Sequence, residues 1–180
     1  LDYHHYDIYL HDNLRTNACN KEPEMVKRIE SFHGNDIVYD IGANVGSYSL
    51  LIAKYGHLVV AFEPSGFTFT TLIKNIHTNS SNVIPFNIAL SDTTRLDNFA
   101  YSSTDNGTAS HALGTKGVYK HKMLVYSLDE FIKKLQEKFS IKNAMAVSRL
   151  EKVVVNMGVG DAISDNKIME SAVADLAKIT

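Results

Sequence analysis

The 180-residue sequence predicts an α/β chain. Residues 1–134 read as an incomplete parallel sheet with an antiparallel hairpin region, and residues 135–180 as a strand–helix tail. Three observations lead there. Short apolar runs alternate with stretches of helical period from Glu22 to Ile88, which demands right-handed crossovers and parallel strands. A glycine-bearing turn, Gly42–Gly46, stands between the first such strand and the first helix after it. Composition then changes late in the chain: all eight His lie between His4 and His121, and 16 of the 17 aromatic residues lie at or before Phe131.

Each element has its own signal. Met25, Val26, Ile29 and Phe32 recur at helical spacing, so 22–32 is a predicted helix. Residues 36–41 form a short apolar run of buried-strand length. A helix over 46–55 follows, ended by Gly56. Residues 58–63 give the second strand. Ser65 is placed to cap a helix over 67–78, and 82–88 is the third strand. The expected sheet order is third, first, second. From Asp97 to Tyr126 short segments are separated by Asp105-Asn106-Gly107 and by Gly114–Gly117, which predicts antiparallel hairpins. Ser127 caps a helix to about Lys134, with Asp129 and Glu130 favourable in its first turn. In the tail, Lys152–Met157 reads as a strand and a helix starts near Asn166.

Bulk properties exclude several classes. Hydrophobic residues make up 44% and charged residues 21%, so the chain is globular rather than disordered or collagen-like. No apolar run approaches a membrane span, and no signal peptide is legible. Cys19 is the single cysteine, which rules out an internal disulfide framework and fits a reducing cytoplasm. The net charge of −2 gives no global pull toward nucleic acid or anionic lipid. The first residue is Leu1, so a piece of a longer reading frame is expected. Residues 1–133 carry 11 basic and 14 acidic side chains and 134–180 carry 7 and 6, a second sign of a boundary near 134/135.

The strongest chemical signal is Asp40-Ile41-Gly42-Ala43-Asn44-Val45-Gly46. In a parallel sheet, the crevice for ligands opens at the carboxyl ends of the strands. Gly42 and Gly46 permit a tight turn and let a ligand lie against the backbone. The next strand ends in Glu63, 17 residues past Gly46, placed to accept hydrogen bonds from ribose hydroxyls. That pairing points to an adenosine-type ligand. A pyrophosphate fingerprint needs a glycine where Asn44 stands. Asp40 would repel pyrophosphate but suits the cationic groups of S-adenosylmethionine. The bland alternative is a glycine-containing turn with an exposed Glu on the next strand.

At these residues the chain resembles FkbM-type methyltransferases. The resemblance rests on Asp40–Gly46, then Val60-Ala61-Phe62-Glu63-Pro64, Asn87-Ile88-Ala89-Leu90-Ser91-Asp92 and Tyr126-Ser127-Leu128-Asp129-Glu130-Phe131, and covers about residues 20–133. It implies an incomplete Rossmann-like class I sheet and S-adenosylmethionine as cofactor. The implied reaction moves a methyl group to a hydroxyl of a sugar or other small acceptor. By position, Asp40, Gly42, Asn44 and Gly46 would hold the methionine part, Glu63 the ribose, and Asn87 and Ala89 would border the adenine. No catalytic base and no metal site is implied. The family's later strand with its Asp-x-Glu-Gly type motif has no counterpart after Lys133. The acceptor side is therefore cut short, and inactivity is one expectation.

The tail bears a different resemblance. Glu137-Lys138-Phe139, Lys142-Asn143-Ala144-Met145 and Leu150 through Ala162 look like the amino-terminal region of the large-subunit ribosomal protein family that binds 5S rRNA. This implies rRNA contact through the tail alone. The Gly158-Val159-Gly160 run invites a dinucleotide reading, but Ile163 takes the third glycine place. Three functions therefore stand open: a truncated methyltransferase as the first reading, a ribosomal fragment as the alternative, and a chimeric frame with neither activity. The strand Lys152–Met157 is expected to dock beside the first parallel strand or to stay loosely attached.

Overall fold

The computed structural model describes residues 2–3, 6–11, 19, 22–33, 37–101, 112–113, 117 and 119–138. The chain divides into two units, Leu1–Lys142 and Asn143–Thr180, and every described residue lies in the first. The division falls at 142/143 rather than 134/135, because the helix capped by Ser127 runs past Lys134 to Lys138. The expected tail strand and helix, and the docking of Lys152–Met157, lie outside the described residues.

A short antiparallel pair, β1 (Asp2–Tyr3) and β2 (Tyr6–Asp7), opens the chain. Helix α1 (Pro23–Glu30) starts on a proline that needs no hydrogen-bond acceptor there, and buries Val26 and Ile29. Then come β3 (Ile37–Ile41), α2 (Ser47–Lys54), β4 (Leu58–Phe62), α3 (Gly66–Asn79) and β5 (Val83–Phe86). Ser65 caps α3, its Oγ accepting from the Thr68 N–H at 3.4 Å. The three strands are parallel, with Tyr39 opposite Val60 and Val60 opposite Ile84.

Their order is β3-β4-β5, so the expected order with the first strand in the middle is corrected. The physical reason is the composition of β4. Val59, Val60, Ala61 and Phe62 are all buried, and a strand apolar on both faces belongs at the centre. By contrast, β3 carries Asp40 and exposes Ile37 and Ile41, which suits an edge.

Alternation along β4 divides the core into two layers. Val59 and Ala61 pack with Leu50 and Leu51 of α2, Leu72 of α3 and Ile29 of α1. Val60 and Phe62 face the other way, toward Phe131. That residue belongs to α4 (Leu128–Lys138), capped as expected by Ser127, whose Oγ accepts from the Glu130 N–H at 3.2 Å.

The expected third strand, 82–88, is shortened to Val83–Phe86, and a separate strand follows it. Residues 83–86 close the parallel sheet, while β6 (Ala89–Ser91) joins a second sheet with β7 (Arg95–Tyr101), β8 (Ala112–Leu113) and β9 (Tyr119–Ser127). Its order is β6-β9-β7-β8; β6 runs parallel to β9, and β7 runs antiparallel to both β8 and β9. Phe99, Tyr101, Met123 and Val125 form its core. The expected turns at 105–107 and 114–117 lie outside the described residues, apart from the exposed Gly117. Among the described residues, no helix is long and apolar enough to cross a membrane.

Candidate functional site

The glycine turn lies at the carboxyl end of β3 and folds back on β4. Gly42 N–H and Ala43 N–H both donate to the Phe62 carbonyl, at 2.9 and 3.0 Å. Gly42, Asn44 and Gly46 take positive φ values of 81°, 54° and 89°. Asparagine tolerates this left-handed region because its short side chain bonds locally; here its Oδ1 accepts from the Val45 N–H at 2.9 Å.

Gly46 answers to packing. A Cβ built there would sit 2.5 Å from Leu72 Cδ1, whereas at Gly42 it would meet nothing within 4 Å. Leu72 thus occupies the side on which a residue at 46 would project.

Glu63 is the centre of the arrangement. Its Oε2 accepts from the Asn44 N–H and its Oε1 from the Ser65 N–H, both at 2.8 Å. One carboxylate therefore ties the β3–α2 turn to the β4–α3 turn. Asn87 adds a third loop, its Nδ2 donating to the carbonyls of Glu63 at 2.8 Å and Pro64 at 3.1 Å. Asp40, one strand away, accepts the Ser49 hydroxyl at 2.5 Å.

Electrostatics follow from this burial. Desolvation pushes the Glu63 carboxyl above its ordinary 4.5; the Ser65 and Asn44 amides counter that push, and the negative charge of Asp40 reinforces it. Desolvation also raises Asp40 above its ordinary 3.8, against the hydroxyl and backbone N–H of Ser49. The Tyr39 phenol is raised by burial as well.

The structure brings Asp40, Gly42, Asn44, Gly46, Glu63 and Asn87 to one end of the parallel sheet. Ala89 is set apart: it is buried in the second sheet, opposite Val125. Asn75 escaped the sequence reading. It is fully buried on α3, its Nδ2 donating to the Val45 carbonyl and its Oδ1 accepting from the His11 N–H, both at 2.7 Å. An amide in mid-helix, three residues after a core leucine, was the available signal. Among the described residues, no group of three or more His, Cys, Asp or Glu is placed to hold a metal ion.

Comparison with known proteins supplies the other half. The family described as Ribosomal protein L5 matches residues 143–180. The large ribosomal subunit protein uL5 of Dichelobacter nodosus (strain VCS1703A) is 58% identical over 52 residues, which are 29% of this chain and 29% of that protein. The chain thus spans less than a third of the length of this curated relative. These findings overturn the expectation of an FkbM-type methyltransferase with S-adenosylmethionine as its cofactor, since the similarity found runs to a ribosomal protein. In the structure Glu63 accepts from two backbone amides, a Cβ at Gly46 would meet Leu72, and Asn87 Nδ2 donates to two loop carbonyls. What the comparisons support is the ribosomal resemblance of the tail, and residues 143–180 are a segment similar to ribosomal protein L5.

Proposed function

We propose that the chain works with the large ribosomal subunit in the cytoplasm and contacts rRNA, 5S rRNA in the first place, through residues 143–180. The observation that carries this reading is the 58% identity over 52 residues, together with the family match at 143–180. Bulk charge does not drive the contact: residues 143–180 hold four basic and five acidic side chains. Affinity then rests on individually placed cations such as Arg149 and Lys152, which position a protein against phosphates.

The test is fluorescence anisotropy of the full chain with 5S rRNA and with an unrelated structured RNA of equal length, over a salt series. The expected result is preference for 5S rRNA, with affinity falling linearly in log salt. Arg149→Ala and Lys152→Ala should each reduce that slope by about 1. Equal binding of both RNAs defeats the proposal.

One observation favours a second reading, a chimeric frame with neither activity. The chain divides at Lys142/Asn143, and the family match begins at 143. A family match confined to the end of the chain is what joining two unrelated segments produces, although the 52-residue similarity to uL5 is longer than 143–180 and so reaches into the first unit. Absence of any preference for 5S rRNA in the same titration supports it.

A further inference from the structure

The carboxylate of Glu63 bridges two turns that no other described hydrogen bond from its side chain could hold together, and this suggests a device built into the unit 1–142. We propose that Glu63 is a proton-operated clasp, whose ionised form ties the Gly42–Gly46 turn to the β4–α3 turn and whose protonated form lets one of them go.

The argument is one of donors and acceptors. An ionised carboxylate is acceptor-only, so both of its oxygens are open to amide donors. Here Oε2 takes the Asn44 N–H and Oε1 the Ser65 N–H. A protonated carboxyl turns one oxygen into a hydroxyl that must itself donate, and that oxygen becomes a poor partner for an N–H. One of the two amides then loses its bond.

The surroundings make the proton welcome. Asp40 on β3 is the charged group that acts on Glu63, and it repels the ionised form. From α2, Ser49 donates to Asp40 rather than to Glu63. From α3, Ser65 supplies an amide, and Asn87 binds only the backbone carbonyl of Glu63. Both partners of the side-chain oxygens, the Asn44 and Ser65 amides, are therefore neutral N–H groups. Burial favours the neutral carboxyl for the same reason.

Release is local. The turn keeps the bonds of Gly42 and Ala43 to the Phe62 carbonyl, and Asn75 still holds Val45. The parallel sheet does not depend on the clasp, so protonation should loosen a turn and leave the core folded. That separates the device from acid unfolding.

Amide hydrogen exchange on the full chain tests it, read by NMR as protection factors from about pH 7 to about pH 4, a span that includes the ordinary carboxyl range and the region above it. Protection at Asn44 or Ser65 should fall at least about tenfold on acidification, while Val59–Phe62 keep theirs. Glu63→Gln, which offers one oxygen and one amide nitrogen, should show the low value at every pH. Asp40→Asn keeps the Ser49 bond and removes the repelling charge, so it should move the midpoint to lower pH. Unchanged protection at both amides overturns the proposal. So does loss together with Val59–Phe62, and so does a midpoint that Asp40→Asn leaves in place.

Discussion

Leu72 of α3 stands where a side chain at Gly46 would have to go: a Cβ on Gly46 would lie 2.5 Å from its Cδ1. Both residues are buried, Leu72 fully, so neither can yield into solvent. Gly46 also sits at φ 89°, where any L-residue is strained. Gly46→Ala should therefore cost about 2–4 kcal/mol, adding overpacking to backbone strain. In a Leu72→Ala background, the same change should cost only about 1–2 kcal/mol, the strain alone. Urea denaturation of the four chains measures the difference, and equal costs in both backgrounds would exclude the packing explanation.

Asn75 joins elements that are far apart in sequence. It donates to the Val45 carbonyl in a buried bond and accepts from the His11 N–H in a part-buried one. Asn75→Leu would leave both backbone groups without this partner, at about 1–3 kcal/mol for each one left buried and unpaired. Asn75→Asp would keep the acceptor and lose the donor while burying a charge. Its stability should fall further at neutral pH than at mildly acidic pH, as thermal melts at the two values would show.

The buried carboxylates set a pH dependence with a definite sign. Both Asp40 and Glu63 have folded-state affinities for protons above their ordinary 3.8 and 4.5. A raised carboxyl contributes stability that is present below its ordinary pKa and is lost as pH rises through its folded value. Asp92 and Asp97 act oppositely, being lowered by hydrogen bonds from neighbours, Ser91 first for Asp92 and the Asn98 amide first for Asp97. Their influence is confined below 3.8, and both lie at the surface. Unfolding free energy should thus decline as pH climbs from about 4 toward neutrality. Asp40→Asn should flatten that decline; a slope identical to the unmutated chain would assign the effect elsewhere.

Phe131 closes the second layer of the core. Its ring meets Phe62 at 5.1 Å and Phe86 at 4.9 Å, both edge-on, and Tyr126 at 6.0 Å. Phe131→Ala should cost about 3–5 kcal/mol and free α4 from the sheet. Far-ultraviolet circular dichroism in the native baseline would report the lost helix, and chemical denaturation the lost stability.

The elements were legible where local chemistry decides them. Ser65 and Ser127 cap their helices as serines before a helical run do, and the apolar run at 58–62 forms a strand. Strand order was not legible, because it depends on how both faces of β4 are covered, a property no window of sequence contains. The loops show the same limit. Glu63 and Asn44 could be picked out as chemically loaded, yet sequence spacing cannot tell a carboxylate that awaits a ligand from one already holding two amides. At Gly46 the packing of α3 adds a neighbour that no spacing reveals, Leu72 at 2.5 Å from a Cβ built there. Asn75 was passed over because helical periodicity ranks positions by hydropathy, whereas its role comes from a carbonyl 30 residues away.

Cys19 offers a clock for opening of the unit. Its side chain is 1% exposed, and its Sγ lies 3.9 Å from the Ser47 carbonyl. Burial pushes the thiol from an ordinary 9.0 to about 11, with the Glu22 charge reinforcing and a backbone hydrogen bond opposing the shift. A rise from 9.0 to about 11 leaves about a hundredfold less thiolate at any pH below the ordinary value, and the thiolate is the nucleophile. Alkylation by iodoacetamide near pH 8 should therefore run at least about a hundredfold slower in the folded chain than in urea, since lack of access adds to lack of charge. The residual rate should follow the opening equilibrium. It should rise in Gly46→Ala, which strains the turn directly before Ser47, by the factor its lost stability dictates. A folded-state rate close to that in urea would mean that Cys19 is open to solvent, and would remove the contact with Ser47 from the core.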